Sequence, residues 1–167
     1  MRFKVGDKVV YPSQGVSIVE KISKEVLAGA EMKCYHLRLI GSDSKVMVPL
    51  ANSERVGLRP LSEKKNIKKI MTRLKAAEGE TAEDWKDRYR ANLERIKTGD
   101  LDEIVDVLLC LAEVAGRKTL SFRERKMYDH ARQLLVNEVA VVEKRDVAKV
   151  EQQVEDSLGN VVKQEEG

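Results

Sequence analysis

The spacing of apolar residues changes once along this chain, near residue 61, and that change sets what the chain can fold into. Before it, FKVGDKVVYPSQGVSIVEKI offers a GD turn, the apolar run Val9-Val10-Tyr11, a PSQG turn at residues 12–15, and V-x-I-V-x-x-I from Val16 to Ile22. CYHLRLI and KVMVPL follow, separated by the GSDS turn at residues 41–44, and Pro49 ends the second. Short alternating segments bounded by Gly, Pro, Ser and Asp read as strands. Five of them in about sixty residues predict a small curled sheet, because so short a barrel closes its own edges.

From Leu61 onward the apolar period is helical. Ile67, Ile70, Met71 and Leu74 predict a helix over 63–77 after a Ser62 cap. A second is predicted over 82–98, opened by the Thr81-x-x-Asp84 start signal, striped by Trp85, Tyr89, Leu93 and Ile96, and stopped at Gly99. A third, over 101–115, carries the broad face Leu101, Ile104, Val105, Leu108, Leu109 and Ala112, the expected centre of a helical core. The fourth begins at the capping box Ser121-Phe122-Arg123-Glu124 and continues through Met127, Ala131, Leu134, Leu135 and Val139. After Arg145 only Val147, Val150, Val154 and Leu158 keep a thin period in acidic sequence, which predicts a frayed helix and then disorder. The expected class is therefore α+β: a Tudor or SH3-like barrel over 1–60, a compact helical bundle over 61–145, and an acidic, partly disordered tail over 146–167.

Charge divides the chain in the same places. Residues 1–60 hold ten basic and six acidic side chains, residues 61–145 nineteen and sixteen, and residues 146–167 two and six. A basic body with an acidic tail suits a polyanionic partner, although a solvated lysine-rich surface reads the same way. No run of 18 apolar residues exists, and MRFKVGDKVV starts directly with strand-like alternation, so a cytoplasmic protein without a membrane segment is expected. Cys34 and Cys110 lie in separate apolar segments and read as reduced packing thiols. His36 and His130 have no ligand or triad pattern around them, and there is no phosphate loop or nucleophile elbow. An enzyme is the weakest class, and no cofactor or metal is expected.

Two constellations remain. The helix of Trp85, the single tryptophan, also carries Lys86, Arg88, Arg90, Arg95 and Lys97, and the fourth helix is flanked by Arg117, Lys118, Arg123, Arg125, Lys126 and Arg132. Cations at a helix start can meet phosphate together with the free amides there. An indole among cations can also wedge into the minor groove. The spacing leaves alternatives open: Trp85 is in register with Tyr89, Leu93 and Ile96 as a core residue would be, and Asp129 can pair with Arg125 and Arg132 at helical spacing. A protein-interaction adaptor without DNA contact fits the same residues, with Trp85 as a hot spot.

Taken together, FKVGDKVVYPSQGVSIVEKI, VPL with VGLRPL after it, W-x-x-R-Y-x-x-x-x-E-x-x-x-x-G from Trp85 to Gly99, and LS-x-x-E-x-K-M-x-x-x-A-R-x-L-L from Leu120 to Leu135 resemble the CarD/CdnL family of bacterial transcription regulators. The resemblance spans about residues 2–142. It implies a Tudor-like first domain, shared with the transcription-repair coupling factor, that binds the RNA polymerase β subunit. It also implies a helical domain on promoter DNA at the upstream edge of the bubble, where a tryptophan enters the minor groove independently of sequence. By motif position that residue is Trp85. Arg88, Arg90, Arg125 and Lys126 match positions that are basic in the family, and Lys86 and Arg132 stand beside them.

The polymerase side is expected at Lys24, Glu25, Lys45, Val46, Met47 and Val48. Two positions depart from the family pattern: Glu25 and Met47 stand where some members are basic, and Lys24 and Lys45 are the neighbours able to carry the charge. The expected protein is thus a monomeric, cytoplasmic, nucleoid-associated regulator that stabilises the open complex without chemistry.

Overall fold

The computed structural model describes residues 2–76 and 85–166, with side chains described over 2–76 and 87–159. Thr81 and Asp84, the expected start signal, and the side chains of Trp85 and Lys86 lie outside the described residues. The chain divides into two compact units at Leu61 and Ser62.

The first unit is an antiparallel sheet of β1 (Lys8–Tyr11), β2 (Gly15–Leu27), β3 (Ala30–Leu39), β4 (Lys45–Pro49) and β5 (Arg59–Pro60), ordered β4-β3-β2-β1-β5. Alternation decides its faces. Tyr35, Leu37 and Leu39 point inward from β3 while His36 and Arg38 are half-exposed, and Val9, Val19 and Val48 complete a core closed by Phe3 and Leu58. The Tyr35 hydroxyl accepts the Phe3 amide at 3.1 Å, and the two rings meet edge-on at 5.9 Å. Together these tie the N-terminal segment over the core. A bulge between Val19 and Lys21 resets the register, after which the β2–β3 hairpin runs on to Leu27 and Ala30, five residues beyond the alternation that ended at Ile22. Its tip is a two-residue turn with Ala28 at φ 49° and Gly29 at φ 79°, the left-handed pair that matches the twist of a tight hairpin.

The second unit holds α1 (Lys64–Ala76), α2 (Trp85–Thr98), α3 (Leu101–Arg117), α4 (Phe122–Glu143) and α5 (Val147–Glu166). α3 is its axis. Asp100 caps it by accepting the Asp102 amide, and ten of its side chains are buried, including Val107, Leu111 and Val114 on the side away from the predicted face. A helix apolar on most of its circumference must be covered from several directions, and α1, α2, α4 and α5 all pack on it. Ser121 caps α4 as expected, accepting the Glu124 amide at 3.1 Å. Ser62 does not act as the cap of α1: its amide and hydroxyl both donate to the buried Glu138 carboxylate, at 2.9 and 2.6 Å, and the Glu63 carbonyl accepts the first helical amides instead.

Two expectations need correction. The stretch after Arg145 is no frayed tail: α5 is a helix whose Val150, Val154 and Leu158 are fully buried in the same core as α3, so the helical unit takes in α5. Its stripe is thin because the apolar surface it covers belongs to α3. In α2 the inward face is Arg88, Asn92 and Ile96, and Leu93 is 36% exposed. The helix is rotated from the predicted stripe because Arg88 finds a buried partner on α4.

Candidate functional site

The buried partner is Glu124. Both residues are only 3% exposed, and the Arg88 guanidinium donates from Nε to Oε2 and from Nη2 to Oε1, each at 2.8 Å. This two-pronged geometry satisfies the carboxylate and locks the fork. It lies within the first turns of α2 and α4, so it holds the starts of both helices at one end of the unit. Deeper along α2, Asn92 donates to the Cys110 thiol at 3.5 Å and accepts from Arg95 at 2.8 Å. Burial pushes the Cys110 thiol up, as it does the Cys34 thiol in the sheet unit, and both cysteines are free and buried.

Of the residues expected on phosphate, the structure therefore withdraws Arg88, whose charge is consumed inside the unit. Arg132 is withdrawn for a similar reason: it is largely buried, pairs with Asp129 at 3.4 Å and Glu155 at 3.1 Å, and lies over the Tyr128 ring, tying α4 to α5. Arg90 is exposed on α2. Arg125 is exposed with its Nε 3.6 Å from Asp129, the helical-spacing pair that the sequence allowed. Lys126 is exposed, with its ammonium 4.6 Å from the centre of the Phe122 ring, and Arg123 lies over Tyr89 at 5.9 Å. Trp85 and Lys86 open α2, a little over a turn before Arg90.

The arrangement has an electrostatic cost that a purely structural surface would avoid. A helix N-terminus carries about half a positive charge, so acids are favoured there and each cation costs a few tenths of a kcal/mol. The first turn of α4 instead exposes Arg123 and Arg125, with Lys126 next; its one acid, Glu124, is neutralised by Arg88, and Asp129 on the following turn meets Arg125 alone of the three. The result is a local surplus of positive charge aimed at solvent. Phe122, 75% exposed in its midst, was not singled out from the sequence. Its signal was there: it stands five residues before Met127, off the i, i+3, i+4 stripe of its helix.

In the sheet unit, β4 is an edge strand paired only with β3, with His36 opposite Met47 and Leu37 opposite Val46. Val46 and Val48 pack into the core, while Lys45 and Met47 face out. A cleft of about 360 Å³ on this outer side is lined by Glu20, Lys21, His36, Lys45, Val46 and Met47. Lys45 reaches Glu20 at 3.9 Å, and Lys24 reaches Glu31 at 3.7 Å. Glu25 is tied down beside the cleft: the Ser23 hydroxyl lies 2.8 Å from its Oε1 and 2.8 Å from His36 Nε2, which is itself 3.2 Å from Glu25. An ionised carboxylate only accepts, so Ser23 gives its single proton to Glu25 and receives one from His36 Nε2. The Ser23 hydrogen bond, helped by His36 and Lys21, holds the Glu25 carboxyl below its ordinary range. Glu25 thus stays negative beside the cleft.

Comparison with known proteins gives matches to both units. Residues 3–62 match the CarD-like/TRCF RID domain, and residues 69–155 match the C-terminal domain of CarD. A Bacillus subtilis (strain 168) protein described as "Putative transcription factor YdeB" is 31% identical over 140 residues, covering 84% of this chain and 92% of that protein.

Proposed function

This chain belongs to the CarD/CdnL family and is a transcription regulator, and from that premise we propose that it binds the RNA polymerase β subunit through its sheet unit and promoter DNA through its helical unit, stabilising the open complex. The observation that carries the DNA half is the cationic end of α2 and α4, where Arg90, Arg123, Arg125 and Lys126 stay exposed, Arg123 and Arg125 against the dipole of α4. Major-groove reading heads are not part of the reading, so the promoter is chosen by polymerase and the contact is to backbone and minor groove.

The mechanism is differential binding. A ligand moves closed toward open complex only by the amount it prefers open, and about 1.4 kcal/mol of preference is tenfold. Wedging Trp85 into intact duplex costs a few kcal/mol of unstacking, and less at an edge where the strands have already parted. The indole therefore favours the melted state and resists collapse of the bubble. Arg90, Arg125 and Lys126, with Lys86 next to the indole in sequence, hold the flanking phosphates. No catalytic step is involved.

The polymerase half rests on the edge strand β4, whose outer backbone groups can accept another strand. Lys45 and Met47 flank the cleft at that edge, with Met47 39% exposed. Replacing Lys45 and Met47 together by Glu should reduce capture of the isolated β subunit by the full chain on the order of tenfold, because like charges cannot be desolvated in a strand-to-strand contact. Undiminished capture would place the polymerase contact elsewhere.

A further inference from the structure

Phe122 is the most exposed large apolar side chain among the described residues, and nothing in the function just given employs it. A phenyl ring left in water forgoes most of the free energy its burial would supply. The bundle has no place for it, since it lies off the Met127, Ala131 and Leu135 stripe that packs α4. The Lys126 ammonium, one turn on, sits 4.6 Å from the ring centre and steadies it by a cation–π contact. Arg123 and Arg125, both exposed, stand on the same first turn, Arg123 over the Tyr89 ring and Arg125 over the Tyr128 ring, so Lys126 is the cation at Phe122 itself and two more lie within a turn of it. The other aromatics nearby, Tyr89 and Tyr128, are half-buried and already lie under Arg123 and under Arg125 and Arg132. The Arg88–Glu124 pair also brings the first turn of α4 to the first turn of α2, so Phe122 and Trp85 open two helices that start at the same end of the unit.

We propose that Phe122 is a stacking platform for one unpaired DNA base, with Lys126, Arg123 and Arg125 on the phosphates of the same strand. This rests on the DNA contact proposed above and gives it a direction: the helical unit prefers a junction of duplex and single strand to continuous duplex. A duplex presents sugar and phosphate along its sides and shows base faces only where the strands part. An open aromatic face beside cations is the device that binds single strands without regard to sequence. The three cations argue for a polyanion over an apolar groove on a protein.

The test uses the full chain and fluorescence anisotropy at low salt with two labelled DNAs of one sequence, a blunt duplex and a duplex carrying a short unpaired arm. The wild type is expected to bind the forked DNA more tightly. Phe122→Ala, which alters an exposed ring and leaves the core intact, should weaken binding to the fork on the order of tenfold and to the blunt duplex by less than about twofold. Phe122→Tyr should keep the preference, and Phe122→Leu, which is apolar but not flat, should lose it. An equal loss on both DNAs, or no loss on the fork, overturns the stacking role while leaving the DNA contact in place. Failure of the wild type to bind either DNA overturns both.

Discussion

A chain ending at Arg145 is expected to lose the cooperative melting of its helical unit. Removing α5 uncovers α3 and discards Val150, Val154 and Leu158, each fully buried. Burial of such side chains contributes roughly 1.5–3 kcal/mol apiece, and a whole domain is stable by only about 5–15 kcal/mol. The loss therefore approaches the total. The Arg132–Glu155 pair across α4 and α5 would go as well, leaving Arg132 with Asp129 alone of its two acids. A gentler version keeps the helix: Leu158→Ala should cost about 2–5 kcal/mol by lost burial and a cavity. Thermal melts of both variants check the expectation. A truncated chain that melts as the full chain does would mean that α5 is an appendage after all.

The second large effect is at Glu124. Glu124→Ala leaves the Arg88 guanidinium buried with its carboxylate gone, and breaking one side of a buried pair costs about 3–5 kcal/mol. For a domain of this size that is a fall in melting temperature on the order of 15 °C. Replacing both members by apolar residues, Arg88→Met with Glu124→Leu, should recover much of the loss, because the desolvation of two ions is then avoided. A phosphate-binding Arg88 predicts the reverse ranking: Glu124→Ala would leave stability unchanged and Arg88 free for DNA. The pair bears on the proposed function because it holds the start of α2, where Trp85 stands in the chain, against the start of α4.

The legible and illegible parts of this molecule differ for physical reasons. The β1 to β4 segments, Gly99 as the stop of α2 and the Ser121 cap are local features, written in neighbouring residues, and they stand where the sequence placed them. The hairpin beyond Ile22 was missed because SKEVLAGAEMK lies past the core, where backbone pairing alone carries the strand and no apolar alternation is needed. The role of α5 was hidden in its own acidic sequence, while α3, buried on most of its circumference, is the helix it packs on. Arg88 could not be assigned from sequence at all. Its partner lies 36 residues away, and a motif position that is basic says nothing about whether the charge faces a phosphate or a buried carboxylate.

Within the candidate site, the sequence reading named the two helices whose first turns the Arg88–Glu124 pair brings together. It credited Arg88 and Arg132 with charge that the fold spends internally, and it passed over Phe122, the one aromatic that the described surface leaves open.

The central claim is that Trp85 keeps the bubble open, and the lifetime of the open complex measures it directly. Purified polymerase on a promoter, challenged with competitor DNA, should hold its open complex longer with the wild-type protein than without it. Trp85→Ala should remove most of that gain, on the order of tenfold for about 1.4 kcal/mol of open-state preference, while still being retained by polymerase through residues 1–61. Leu93→Ala, on the same helix but at the exposed position, is the control and should keep the full gain. A Trp85→Ala protein that prolongs the open complex as well as the wild type does would contradict the account, since the cations alone would then suffice and the indole would have no part in holding the strands apart.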